Sequence, residues 1–232
     1  HGGRGGGGSG GAGGGVYGKT NGPVQAGSGG ASYTVALRYD KPGAGGGAVR
    51  LDATNALILH GVITANGGDA TPAATYYAGA GAGGGIYLTC KTFSGGTSGV
   101  LRANGGTTYA TNTLAGAGGG GRIAIWQDVS AEDRARHLGG QEVTNLVVST
   151  NFANYWGAVG VGPGQGRTNN PAGYGTRNFL RLTAPNAYYL DIRADPVTWD
   201  SPTALTYGTH FDIPAGIAID AHRRRNGGVR LL

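Results

Sequence analysis

Short apolar–polar alternations recur along the first half of the chain, each directly behind a run of glycine. Val49 and Leu51 flank Arg50, Ile86 and Leu88 flank Tyr87, and Ile123 and Ile125 flank Ala124. Alternation with period two puts successive side chains on opposite faces, so each stretch predicts a half-buried strand. A second strand is predicted over 57–65 and, more weakly, over 99–103. Both end in Ala-Asn-Gly-Gly, at 65–68 and 103–106. Asn-Gly tolerates positive φ and turns the chain sharply.

The unit containing these features repeats. Residues 45–68 and 83–106 are blocks of 24 residues that agree at 10 positions. A third glycine run, 116–121, opens another copy with Arg-Ile-Ala-Ile-Trp and then stops. Val49 to Ile86 spans 37 residues, whereas Val62 to Val100 spans 38. A one-residue bulge would absorb the difference. A fixed offset of 38 sets Asp52 opposite Cys90, Asp69 opposite Thr107 and Thr54 opposite Thr92. A period near 38 means stacking of similar units. Strand, corner, strand, corner, loop and glycine run together predict an all-β parallel solenoid. The competing arrangement is an antiparallel sandwich with glycine-rich loops.

Residues 127–232 break the pattern, which divides the chain into a repeat region, 1–126, and a small β-rich unit, 127–232. Helix signals surround 130–138: Ser130 caps, Asp133 stands three residues on, acids fill the first turn, and Gly139 stops the turn. Strands are predicted over 143–150, 179–183, 188–192, 205–207 and 217–219, punctuated by prolines.

Composition changes how the glycine runs are read. Of 51 glycines, 38 lie in 1–126. The opening run, 1–15, has glycine at 2, 5, 8, 11 and 14. A three-residue helix of polyproline-II type would then carry one face of glycine alone, a polyglycine-II-like geometry. Neighbouring runs near Gly43, Gly79 and Gly116 could approach closely and exchange backbone hydrogen bonds. The alternative is a flexible linker.

Net charge is +6, with Arg223–Arg225 as its one basic cluster. A nucleic-acid binder would show a basic stripe with stacking aromatics, so no nucleic-acid partner is expected. The single cysteine, Cys90, rules out an intrachain disulfide and leaves the compartment open. Methionine is absent even at position 1, which suggests processing or a piece of a longer chain. No apolar run reaches the length of a membrane span.

Several motifs match catalytic patterns without their settings. Gly13 to Thr20 fits the P-loop spacing, but that chemistry needs a strand before it and a helix after it. Asn21-Gly22-Pro23 follows instead. Gly7-Gly8-Ser9-Gly10-Gly11 fits a nucleophile elbow with neither flank. Glycoside cleavage needs two acids a short distance apart, and Asp40, Asp52 and Asp69 do not align between repeats. The histidines at 1, 60, 137, 210 and 222 lack metal-ligand spacing. No enzyme activity, cofactor or metal is expected. The residues best suited to bind or to form an interface are Tyr76, Tyr77, Tyr109, Tyr155, Trp156, Tyr188 and Tyr189.

The blocks GAGGGAVRL, GAGAGGGIYL and GAGGGGRIAIW, separated by ANGG turns, resemble glycine-rich repeats of large bacterial cell-surface or extracellular, adhesin-like proteins. The resemblance covers residues 1–126. It implies a right-handed parallel β-helix and a location outside the cell, and it carries no catalytic residues. Residues 197–208 are also similar to a strand pair of bacterial immunoglobulin-like repeats.

Together these readings lead to a secreted structural protein, a subunit of a fibre or surface layer assembled as a homo-oligomer or homopolymer. A solenoid without polar caps leaves an edge on its first coil that another copy can extend. The alternative is an adhesin module whose aromatics stack on polysaccharide.

Overall fold

A computed structural model describes residues 3–8, 11–19, 22–32, 34–35, 38–39, 41–71, 78–108, 115–128, 130–138, 147–149, 154–165, 176–181, 204–213, 215, 218–222 and 228–231. Its elements run in the order β1 (Thr34–Val35), β2 (Arg38–Tyr39), β3 (Ala48–Leu59), β4 (Val62–Thr64), β5 (Gly85–Cys90), β6 (Thr92–Ser94), β7 (Val100–Arg102) and β8 (Arg122–Gln127). Then follow α1 (Ala131–Leu138), β9 (Val147–Ser149), β10 (Ala158–Gly160), β11 (Thr176–Arg181), β12 (Ala204–Ile213), β13 (Ala218–His222) and β14 (Gly228–Leu231).

Two sheets carry the fold. One has the order β12-β3-β5-β8-β11-β9, with β6 also paired to β3; the other runs β10-β7-β4-β13-β14. Within them β12, β3, β5, β8 and β11 are mutually parallel, as are β10, β7, β4 and β13. Only β9 and β14 join antiparallel.

This arrangement corrects the expected right-handed parallel β-solenoid. The sheets are open, with strands at both edges, and the described residues form no closed coil. A solenoid winds each coil onto the one before, so strand order should follow chain order. Instead β12, which comes after β11 in the chain, lies at the opposite side of the sheet, beside β3. Parallel pairing at a repeat near 38 residues is common to both architectures, which is why the period alone misled. Open parallel sheets are otherwise typical of α/β proteins. Here helix is scarce among the described residues, and glycine-rich segments run where crossover helices would stand.

The pairing of β12 with β3 bears on assembly as well. Nine register pairs, from Ala204↔Val49 to Ile213↔Leu59, fill the edge that was expected to await another copy. β13 does the same for β4. Strands from beyond residue 126 therefore continue the sheets begun before it.

Register refines the repeat. Val49 pairs with Ile86 and Asp52 with Thr89, an offset of 37, so Asp52 does not face Cys90. Ala56 then pairs with Thr92, an offset of 36, and Val62 with Val100, an offset of 38. One extra residue near Asn55 and a two-residue turn at Thr97-Ser98 account for both shifts.

β5, β8 and the first part of β3 are buried on both faces rather than half-buried, whereas β4, β6 and β7 bury one face. Val49, Leu51, Ile86, Leu88, Ile123 and Ile125 join Leu57, Leu59, Ile63, Leu101, Phe93 and Tyr155 in one apolar cluster that spans both sheets. On the opposite face Tyr87, Thr89, Trp126 and Asp52 are also buried. Double-sided burial is the usual condition of a parallel sheet. Asp52 is tolerated there because its charge is matched: Arg50 Nη2 donates to Oδ2 at 3.1 Å, and Thr89 Oγ1 donates to Oδ1. The Arg50 guanidinium lies 5.3 Å from the centre of the Tyr87 ring, which meets Trp126 edge-on at 5.8 Å. Arg122, from the same face, donates to the carbonyls of Tyr17 and Gly18. Burial lowers its pKa. That contact pins the exposed segment 16–19 to the sheet.

The helix forms where expected, with Asp133 N donating to Ser130 Oγ at 2.9 Å. Arg136 pairs with Glu132 one turn back. The predicted strand over 188–192 lies outside the described residues.

Candidate functional site

The glycine runs form the most distinctive part of the molecule. Consider residues 79–84, in the sequence Gly-Ala-Gly-Ala-Gly-Gly. Their amides donate in turn to Ala31 O, Gly116 O, Gly68 O, Ser28 O, Gly119 O and Ala65 O, all within 2.7–3.0 Å. The targets repeat after three residues: segment 28–31, then 116–119, then 65–68, then the same three again. The carbonyls of Gly79, Ala80, Gly81 and Ala82 accept from Gly43, Gly6, Gly106 and Gly46. The run is therefore hydrogen-bonded to six surrounding segments. A two-residue period would send bonds to two neighbours in one plane. A three-residue period, as in a polyproline-II helix, directs them around the axis at about 120° intervals.

Such packing has no room for side chains. A Cβ on Gly81 would collide with the carbonyl of Ala44, on Gly79 with that of Gly6, and on Gly118 with that of Gly81. Ala80 and Ala82 are accommodated and fully buried. The outermost segment differs. Gly15 is exposed, and nothing lies within 4 Å of where its Cβ would stand. Of the residues that matched a P-loop, 13–20, Gly13 and Gly14 pack against Gly5 and Gly29, residues 15–19 are exposed, and Thr20 lies outside the described residues.

Side chains tie the layers together at the corners. Asn66 Oδ1 accepts from Asn104 N at 2.8 Å, and Asn104 Oδ1 accepts from Gly162 N at 3.0 Å. Asp69 Oδ1 accepts from Thr107 N at 2.6 Å, and Thr107 Oγ1 from Gln165 N at 3.3 Å. The Asn-Gly positions thus do more than turn the chain: each side chain satisfies a backbone donor in the next layer.

These bonds identify a third layer that sequence reasoning missed. The third copy seemed to stop at Trp126, yet β10 pairs with β7, and Gly95 bridges Tyr155. Residues 154–165 therefore continue the copy after an insertion that contains α1. The alternation of Val159 and Val161 with glycines at 160, 162 and 164 was its signal, hidden in a stretch that looks like loop.

Of the aromatics singled out, Tyr76, Tyr77, Tyr109, Tyr188 and Tyr189 lie outside the described residues. The remaining two are neighbours with opposite fates. Tyr155 is buried against Phe93, with ring centres 4.9 Å apart, and burial raises its phenol pKa. Its face is unavailable to a ligand. Trp156 is 74% exposed. Asp52 and Asp69 serve the structural roles given above, and Cys90 is buried in the core. Among the described residues no group of three or more His, Cys, Asp or Glu side chains comes together, and no helix is long and apolar enough to cross a membrane.

Comparison with protein-family models, curated proteins and solved structures gives no match.

Proposed function

We propose that the chain is a secreted structural protein, a building block of an extracellular fibre or surface layer made from copies of itself. The observation that carries this reading is the glycine array, in which one run exchanges backbone hydrogen bonds with six neighbouring segments. An interior of hydrogen-bonded backbone offers cohesion and regularity and little side-chain chemistry. The array also has an outer surface of its own kind. Around Gly15, an exposed glycine segment has open space beside it, with no atom of the described residues within 4 Å of where its Cβ would stand. A glycine segment of a second copy would approach there through the Gly15 amide, since Gly14 N, Gly14 O and Gly15 O are already bonded to Gly29, Gly5 and Ser28. The β3 edge is already filled by β12, so contacts between copies fall to this segment and to the outer strands of the sheets. Negative-stain microscopy of the purified chain tests the reading. Fibres or sheets, or ordered oligomers that grow with concentration, are expected; dispersed monomers at every concentration overturn it.

A second reading, a carbohydrate- or surface-binding module of an adhesin, draws its support from Trp156. An indole left mostly in water is unusual, because tryptophan gains more than any other side chain from contact. Glycan-array binding tests it, and an array without signal removes it.

A further inference from the structure

The second reading can be given a place and a ligand class. Register brings His60, Gly96 and Trp156 into one column at a corner of the stack. Ile58 pairs with Ser94, so His60 falls beside Gly96 two residues on. Gly95 bridges Tyr155, so Gly96 falls beside Trp156. The amide of Gly96 donates to His60 Nδ1 at 3.1 Å, which confirms the alignment. Strand steps of about 4.8 Å put the strands of His60 and Trp156 about 10 Å apart, with glycine as the floor between them.

The middle layer is built differently from its neighbours. In the first layer Gly61 follows His60 directly, and in the third Gly157 follows Trp156. In the second, Thr97 and Ser98 are inserted between Gly96 and Gly99. Gly99 N donates to Gly96 O at 3.0 Å, closing a turn with Thr97 and Ser98 exposed at its tip. Val100 N donates to Gly61 O and Ala158 N to Gly99 O, so the three layers are again in line past the turn. Two hydroxyls therefore stand out from the column between the imidazole and the indole. With Nδ1 accepting from Gly96, the neutral ring of His60 carries its proton on Nε2, which makes no hydrogen bond among the described residues.

We propose that this corner binds a neutral saccharide, with one pyranose face on Trp156 and its hydroxyl rim toward Thr97, Ser98 and His60 Nε2. A protein interface of similar size would set an exposed tryptophan among other apolar side chains. Here its neighbours in the column are glycine, hydroxyls and an imidazole. That combination suits a ligand with an apolar face and polar edges. The absence of Lys, Arg, Asp and Glu from His60, Gly96–Gly99 and Trp156–Gly157 favours a neutral sugar over a uronate or phosphate. The inference rests on the carbohydrate-binding reading and is independent of self-assembly.

Affinity electrophoresis of the monomeric fraction, in gels containing soluble β-glucan, galactomannan, xylan or polygalacturonate, tests it. At least one neutral polysaccharide should retard the wild type more than polygalacturonate does. Trp156→Ala should weaken that retardation by about tenfold or more while leaving the melting temperature unchanged. A Thr97→Ala/Ser98→Ala double variant should weaken it several-fold, and Tyr17→Ala, at another exposed aromatic, should not. No retardation by any neutral polysaccharide overturns the carbohydrate reading itself. Retardation undiminished in Trp156→Ala overturns this site alone. Loss of self-association in Trp156→Ala, without a change in retardation, would assign the indole to a protein contact instead.

Discussion

Replacing Gly81 with alanine asks whether the glycine array holds the fold together. Gly81 is absent from the described glycines with positive φ, so alanine meets no backbone strain there. Its cost is contact. The new methyl would overlap the carbonyl of Ala44, and segment 43–46 must withdraw by more than an ångström to make room. Three of the bonds that hold that segment face the Gly81 side: Gly43 N to Gly79 O at 3.0 Å, Gly46 N to Ala82 O at 2.8 Å, and Gly68 N to Ala44 O at 2.7 Å; Gly30 N to Gly43 O and Gly27 N to Gly46 O hold its other side. Each contributes about 1 kcal/mol net, and more where a buried partner is left unpaired. The expected loss is about 3–6 kcal/mol, a large part of the roughly 5–15 kcal/mol that stabilises a typical domain. In a chain of this size that lowers the melting temperature by roughly 10–20 °C. Gly15→Ala is the matched control: with open space at its Cβ, it should be neutral or stabilise by up to about 1 kcal/mol through the unfolded state. Thermal melts followed by circular dichroism compare the two. Melting temperatures within about 2 °C of each other would refute the close packing of these runs.

Other variants probe the corners and the core. Asn104→Ala removes the acceptor for Gly162 N and should cost about 1–3 kcal/mol in urea unfolding, with Asn66→Ala similar because Asn104 N loses its partner. Tyr155→Phe should change stability little near neutral pH, since its hydroxyl lies 3.5 Å from Ala158 O. Burial holds the folded phenol's pKa above its ordinary 10.0, so its contribution is complete below that value and fades as pH rises past it. The wild type should therefore lose stability between about pH 9 and 11 more steeply than Tyr155→Phe does, as read from melting temperature against pH.

The strands of the repeat were legible because their signal is local. Val49, Leu51, Ile86, Leu88, Ile123 and Ile125 all reach the core, as their alternation implied. The burial of the other face was not, because Arg50 and Asp52 read as solvent-facing residues until Thr89 and Tyr87 from the next strand are set beside them. The architecture was misjudged because nothing in the sequence of 204–213 says that it pairs with 49–59 across more than 150 residues. Repeats announce their neighbours; a strand that joins from elsewhere does not. The aromatic corner was half legible. Trp156 stood out by type, but Tyr155 looked equivalent to it, and only burial separates the two. His60 carried no signal, since its role depends on a register that shifts from 37 to 36 to 38 within one repeat.

Native-state hydrogen exchange resolved by residue tests the central claim, that the glycine runs are core and not linker. Amides that are hydrogen-bonded and buried exchange only through opening of the structure. The amides of residues 79–84 should be protected as strongly as those of β5, while exposed, unbonded amides such as that of Gly15 exchange quickly. Exchange of 79–84 at the rate of an unstructured chain, with β5 still protected, would contradict the account.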